Sequence, residues 1–293
     1  MVAKGDLVER YRMTPLPPAK RFDWSNLGIR VASATILVPS ALAAVWFDTG
    51  WAKGGWPFLL LISVAVALLS IEWGAMTAPR APVRVSTAVC AAVLVGVYLA
   101  HRDHMWLAWG GLIVGSLAAA LVARGVAERP SNAAFGVAYL GIACVCLVWL
   151  RAMPQGNWWA LMLFGITWSA DIAAYATGNL LKGPKLWPRY SPNKTWSGFL
   201  GGLIAAMMVA GFMSSLPYFA LNIYAAILVG LLGGLATMAG DLWESALKRR
   251  FGVKDSGDLI PGHGGLLDRV DGLLFAVVII AVARLINHLG WGH

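Results

Sequence analysis

Nine stretches of this chain are long and apolar enough to cross a bilayer, and no other feature constrains its fold as strongly. A helix needs about 20 apolar residues to span the hydrocarbon core. Inside that core every backbone N–H and C=O must be bonded within the structure, which leaves helices or closed barrels. The runs here are continuous rather than alternating, so they predict helices. They lie near residues 29–47, 56–73, 83–100, 105–123, 133–150, 157–180, 199–216, 218–240 and 272–289. With 59% hydrophobic and 13% charged residues and a mean hydropathy of +0.68, the 293-residue chain fits neither a soluble domain nor a disordered one. The predicted fold class is an all-α polytopic membrane protein with about nine transmembrane helices.

Several tryptophans, among them Trp46, Trp56, Trp73, Trp106, Trp149 and Trp158, stand at or near the ends of these runs, where indole rings anchor at the headgroup level. The net charge of +9 would suggest nucleic acid in a soluble chain, but its distribution points elsewhere. With the N-terminus inside, 19 Lys and Arg fall in cytoplasmic segments and only Lys53, Arg102, Arg151 and Arg284 on the other side. That is the positive-inside bias, so the N-terminus is expected in the cytoplasm and the C-terminus on the opposite side, with no nucleic-acid partner. Cys90, Cys144 and Cys146 lie within apolar runs and read as small buried hydrophobes.

Residues 1–28 are polar, basic and proline-containing, a cytoplasmic arm rather than a cleavable signal. Residues 29–150 form five spans with short loops and few ionisable groups, the pattern of a scaffold. Residues 151–293 differ: four spans carry charges within or at their ends, and two loops near 181–198 and 242–271 are rich in Lys, Arg, Asp, Gly and Pro. Chemistry is expected there.

Ionisable residues at membrane depth are costly and are functional candidates by default. Asp171 lies in the cytoplasmic half of the sixth span, Asp241 at the inner end of the eighth, and Asp268 and Asp271 at the start of the ninth. The alternation of spans brings all four to similar depth. Asp268 and Asp271, spaced i, i+3, share a helix face, where two carboxylates repel unless a cation joins them. Carboxylate oxygens suit Mg²⁺, which takes one or two such ligands and completes its shell with water and phosphate.

Basic groups accompany them. Ser191, Asn193, Lys194 and Thr195 lead into the seventh span, offering hydroxyl, amide and ammonium donors near a helix start, and Lys248, Arg249 and Lys254 follow the eighth. Pro261-Gly262-His263-Gly264-Gly265 surrounds one imidazole with glycines that permit tight turns and close backbone approach to a ligand.

The stretch from Ser245 through Lys248, Arg249, Lys254, Asp255, Gly257, Pro261, His263, Gly264 and Gly265 to Asp268, Arg269 and Asp271 resembles the signature of the phosphatidate cytidylyltransferase (CDP-diacylglycerol synthase) family at every position. Asp171, Tyr175 and Gly178, then Ser191 to Trp196 with Gly198, Gly201 and Gly202, look like the same family's upstream block. The motifs cover the C-terminal half; the N-terminal half agrees in hydropathy. Ser197 stands where members often carry Glu, and Asn193 where they often carry Lys.

The resemblance implies CTP plus phosphatidate giving CDP-diacylglycerol and pyrophosphate, with one or two Mg²⁺ ions, at the cytoplasmic face of a bacterial inner membrane, in an enzyme that can form homodimers. Under it, Asp241, Asp268, Lys254 and His263 are the catalytic candidates, and Asp241, Asp268, Asp271 and Asp171 the metal ligands. Ser191, Asn193, Lys194, Thr195, Lys248, Arg249, Gly264, Gly265 and Arg269 would contact substrate. Two alternatives use the same residues differently: a cytidylyltransferase for another lipid phosphate, and a transporter whose cation path runs past Asp171 and Asp241.

Overall fold

The computed structural model describes residues 24–47, 55–127, 129–188, 191–219, 221–259 and 264–290. Most of the basic arm, residues 1–23, and His263 lie outside them. Nine helices follow one another among the described residues: α1 Trp24–Trp46, α2 Trp56–Thr77, α3 Pro82–His101, α4 Met105–Val122, α5 Ser131–Ala152, α6 Gly156–Leu181, α7 Trp196–Ser214, α8 Ile223–Arg250 and α9 Leu267–His288. Eight of them, α2 to α9, are long and apolar enough to cross a membrane; in α1 the described apolar stretch is Thr35–Trp46. The protein is an all-α, multi-pass integral membrane protein.

Helix ends follow local chemistry. Proline stands in the first turn of α2 (Pro57) and opens α3 (Pro82), where its missing N–H is no loss. Asn222 caps α8, its Oδ1 accepting from Ala225 N at 2.8 Å. One span runs well past its predicted end. The eighth run was expected to end at residue 240 with a loop over 242–271, but α8 continues to Arg250, leaving only residues 251–266 between α8 and α9. Its polar last turns lack the hydropathy that marks a span, yet Glu244 and Lys248 are an i, i+4 pair in the favourable order, and the terminal Lys248, Arg249 and Arg250 suit the helix dipole. The loop over 181–198 contains a small antiparallel ribbon, β1 Lys185–Trp187 with β2 Ser191–Thr195. It is tied to α7 by Trp196 N donating to Pro184 O at 2.9 Å.

Helix α5 is central, packing against α2, α3, α4, α6 and α9, and Leu140, Val145 and Leu150 on it are wholly buried. Lipid tails are as apolar as leucine, so close packing and internal polar contacts hold such a bundle rather than water exclusion. Trp73 of α2 is one such point: its fully buried ring meets Phe135, Tyr139 and Phe251, and its Nε1 donates to Asn132 O at 3.0 Å. Trp73→Phe removes that hydrogen bond, and the expected cost, read from thermal unfolding in detergent, is about 0.5–1.5 kcal/mol. All three cysteines are free, Cys144 and Cys146 buried and Cys90 half-buried, matching their reading as packing residues.

One end of the bundle is tied by arginines. Arg151 of α5 donates to Val45 O at 2.7 Å, and Arg284 of α9 bonds Asn287 Oδ1 and Pro154 O, each at 2.8 Å, beneath the Trp159 ring. At the opposite end the last turns of α6 and α8, the first turns of α9 and the start of α7 leave a cavity.

Candidate active site at the ends of four helices

The cavity has a volume of about 900 Å³. Asp171, Asp241 and the Asp268–Asp271 pair, far apart in sequence from one another, all line it. Lys182, Lys185, Asn193, Lys194 and Thr195 also line it, as does Arg269 beside Asp268 on α9. An acidic wall from α6, α8 and α9 thus meets a largely basic wall from the ribbon, α7's start and the end of α6.

Close helix packing brings the carboxylates together. A Cβ on Gly240 would clash with the Asp271 carbonyl oxygen and stand 3.0 Å from Gly272 Cα, so α8 and α9 touch backbone to backbone beside Asp241 and Asp271. Gly198 and Gly202 do the same for α7 on α6: a Cβ at either would lie 2.7 Å from a carbonyl oxygen, of Ala174 and Ala170 respectively. Small residues at these crossings let backbones approach as in other membrane helix pairs.

The walls are already partly paired. Lys194 forms an ion pair with Asp241, and Lys248 forms one with Asp268. Lys248 also lies 3.6 Å from Glu244, a carboxylate only 1% exposed whose other close neighbour is Asp271. Asp268 Oδ2 further accepts from Ser256 N and Ser256 Oγ, both at 3.0 Å. Asp268 is therefore held by Lys248 and Ser256 N, with the single hydroxyl proton of Ser256 shared between it and Glu72, while still facing the cavity.

The basic entrance is equally organised. Thr195 is the N-cap of α7, its hydroxyl accepting from Gly198 N at 3.1 Å. Ser197 Oγ lies 3.1 Å from Thr195 Oγ1 and accepts from Gly183 N at 3.2 Å, stitching the end of α6 to the start of α7. Thr195→Ala is expected to cost about 1 kcal/mol of stability, seen as a lower unfolding midpoint, while Thr195→Ser keeps the cap.

Other candidates sit elsewhere. Ser191 begins β2 just beyond the cavity lining. Arg249 donates to Val253 O at 3.5 Å, and Lys254 is exposed in the following loop. Gly264 adopts φ +80, a conformation glycine accepts readily. Gly265 is packed against Ser256 and Glu72, with no room for a Cβ.

Two buried acids escaped the sequence reading. Glu72 of α2 is 2% exposed and accepts from Leu266 N at 2.6 Å, Leu267 N at 2.8 Å and Ser256 Oγ at 3.1 Å. It is an acid near the end of an otherwise apolar span, a position like those that picked out the aspartates, but it stands in the half read as scaffold. Glu244 lies within the predicted loop and so lost its helical context.

Magnesium can be tested against these groups. Among the described residues no three His, Cys, Asp or Glu side chains converge closely enough to cage a metal ion by themselves. Magnesium rarely needs such a cage: one or two carboxylates with water and substrate phosphates suffice. Four aspartates lining one cavity opposite phosphate-suited cations fit that mode.

The sequence model of the cytidylyltransferase family matches residues 28–286. A phosphatidate cytidylyltransferase of Brucella suis biovar 1 (strain 1330) is 39% identical over 258 residues, covering 87% of this chain and 92% of the relative. One of Rickettsia bellii (strain RML369-C) is 33% identical over 269 residues, 89% of this chain and 92% of the relative. One of Staphylococcus haemolyticus (strain JCSC1435) is 42% identical over 146 residues, half of this chain and 55% of its own.

Proposed function

The chain belongs to the cytidylyltransferase family, and from that premise we propose that it transfers the cytidylyl group of CTP to phosphatidate, giving CDP-diacylglycerol and pyrophosphate at the cytoplasmic face of the membrane. The observation that carries this reading is the cavity with an aspartate wall facing a basic wall at the ends of apolar helices. Such a site suits two phosphate-bearing substrates, one arriving from water and one resident in lipid. Tyr175, 77% exposed, and Leu181, 70% exposed, put apolar surface beside the charged lining, where acyl chains can lie.

The chemistry asks little of a base. A phosphatidate oxygen is already anionic and attacks the α-phosphorus of CTP in line; the new P–O bond forms as the bond to the β-phosphate breaks, and pyrophosphate leaves with its electron pair. The barrier lies in bringing two anions together and in the charge growing on the leaving group. Lys194, Lys182, Lys185 and Arg269 line the cavity where they can neutralise the phosphates, and the α7 N-terminus with Thr195 adds a dipole and a hydroxyl. Asn193 offers its amide from the same strand, with Ser191 at its start. Asp241, Asp268, Asp271 and Asp171 would hold magnesium jointly with substrate phosphate. Magnesium bound there supplies Lewis-acid stabilisation of phosphoryl oxygens. We assign Lys248 to the support of Asp268, and Arg249, Lys254, Gly264, Gly265 and His263 to contacts with substrate phosphate.

Pyrophosphate release by the purified protein, with CTP, phosphatidate and Mg²⁺ each omitted in turn, tests the reading. Release that needs all three is expected. Release without lipid, or none in a folded sample, would overturn it, and a panel of other lipid phosphates separates the acceptor alternatives.

A further inference from the structure

Helix α9 carries Asp268 and Asp271 in its first turns, yet its own N-cap position is Leu266, which has no side chain to satisfy the free N–H groups there. The missing acceptor comes from α2. Glu72 takes the N–H of Leu266 and that of Leu267 on its two oxygens, a capping arrangement spanning 194 and 195 residues of sequence. Ser256 joins this carboxylate to the site: its hydroxyl lies 3.1 Å from Glu72 Oε2 and 3.0 Å from Asp268 Oδ2, while its backbone N–H also donates to Asp268. Gly265 makes room for this contact, since a Cβ there would overlap Ser256 Oγ and approach Glu72 Oε2 to 3.0 Å.

All the described partners of Glu72 are neutral donors, and the residue is 2% exposed. A buried carboxylate without a paired cation is expensive to keep. Packing of α2 on the bundle would be served as well by an apolar residue. What only an acceptor can do is fix the end of α9 and the hydroxyl of Ser256, both of which set the direction of Asp268.

We propose that Glu72 is a positioning residue for the reaction: the N-terminal helices contribute a carboxylate that caps α9 and, through Ser256, orients Asp268 in the cavity. The kinetic part rests on the cytidylyltransferase reading; the capping part does not. The link is mechanical rather than through substrate, because Glu72 does not line the cavity.

The test compares full-length wild type, Glu72→Gln, Glu72→Asp and Ser256→Ala in detergent with CTP, phosphatidate and Mg²⁺. Small misplacement of a reacting constellation by a remote change costs up to about 100-fold, so Glu72→Gln is expected to lower kcat about 10- to 100-fold with KM for CTP and lipid changed by no more than about twofold. Glu72→Asp keeps the charge and should recover part of that loss. Ser256→Ala removes the hydroxyl between the two carboxylates but leaves the cap, and should lower kcat less than Glu72→Gln, with some fall in the unfolding midpoint. Hydrogen exchange over residues 264–272 should accelerate in Glu72→Gln and not in Ser256→Ala, with the other helices unaffected. An unchanged kcat in Glu72→Gln, or a loss that merely follows the fraction of folded protein, would overturn the proposal. Inactive wild type would instead overturn the functional reading, and the exchange pattern would then still decide whether Glu72 caps α9.

Discussion

Asp268→Asn is expected to lower turnover about 1,000-fold, equivalent to about 4 kcal/mol at 1.36 kcal/mol per tenfold. Its two oxygens face an ammonium, a backbone N–H and a hydroxyl. Asparagine would offer one neutral oxygen and turn an NH₂ toward groups that are themselves donors. The Lys248 and Asp268 side chains are 14% and 13% exposed, and breaking such a pair by removing one partner costs about 3–5 kcal/mol because the other charge stays buried. The substitution strikes the acidic wall and its support at once. The purified variant, assayed for pyrophosphate release at saturating CTP and lipid, decides the point; turnover within tenfold of wild type would remove Asp268 from the account. Its unfolding midpoint should fall as well, because Lys248 keeps only Glu244, at 3.6 Å.

Gly240→Leu is expected to abolish activity without preventing membrane insertion. Insertion depends on the hydropathy of the span, which a leucine raises. Packing depends on the contact of α8 with α9, where even a single carbon on residue 240 collides with the Asp271 backbone. The two helices would have to separate, carrying Asp241 away from Asp271. Overpacking in a tight interior costs about 1–3 kcal/mol when neighbours can yield, and here the neighbour is backbone. Activity in the membrane fraction together with helical content by circular dichroism tests this. A variant retaining more than a tenth of wild-type turnover would show that the crossing is looser than described.

Fold class was legible because a bilayer imposes one strong rule, length of apolar run, that leaves little room for tertiary override. The runs predicted at 83–100 and 105–123 correspond to α3 at Pro82–His101 and α4 at Met105–Val122. The same rule failed at α8, whose last ten residues leave the apolar stretch and continue as helix with Glu244 and Leu247 buried, a Glu244–Lys248 pair and basic residues at the dipole's end. It could not see the ribbon either: strands of three and five residues in a basic, proline-containing loop carry almost no periodic signal.

Convergence of Asp171, Asp241, Asp268 and Asp271 was legible from the alternation of spans, since each falls at the same end whatever the exact packing. Their partners were not. That Lys248 serves Asp268, while Lys194 serves Asp241, depends on side-chain reach across helices that no linear spacing encodes. Glu72 was hidden more deeply, because a lone acid in an apolar span identifies itself as functional only once the free end of α9 is found beside it.

The most direct test of the central claim follows the phosphorus atoms. CTP labelled at the α-phosphate and CTP labelled at the γ-phosphate are incubated separately with phosphatidate, Mg²⁺ and the purified protein, and lipid and aqueous fractions are counted. Cytidylyl transfer predicts α-label in the lipid fraction, one equivalent for each pyrophosphate released, and all γ-label in pyrophosphate. γ-label entering lipid, or α-label remaining wholly in water while CTP is consumed, would contradict the account.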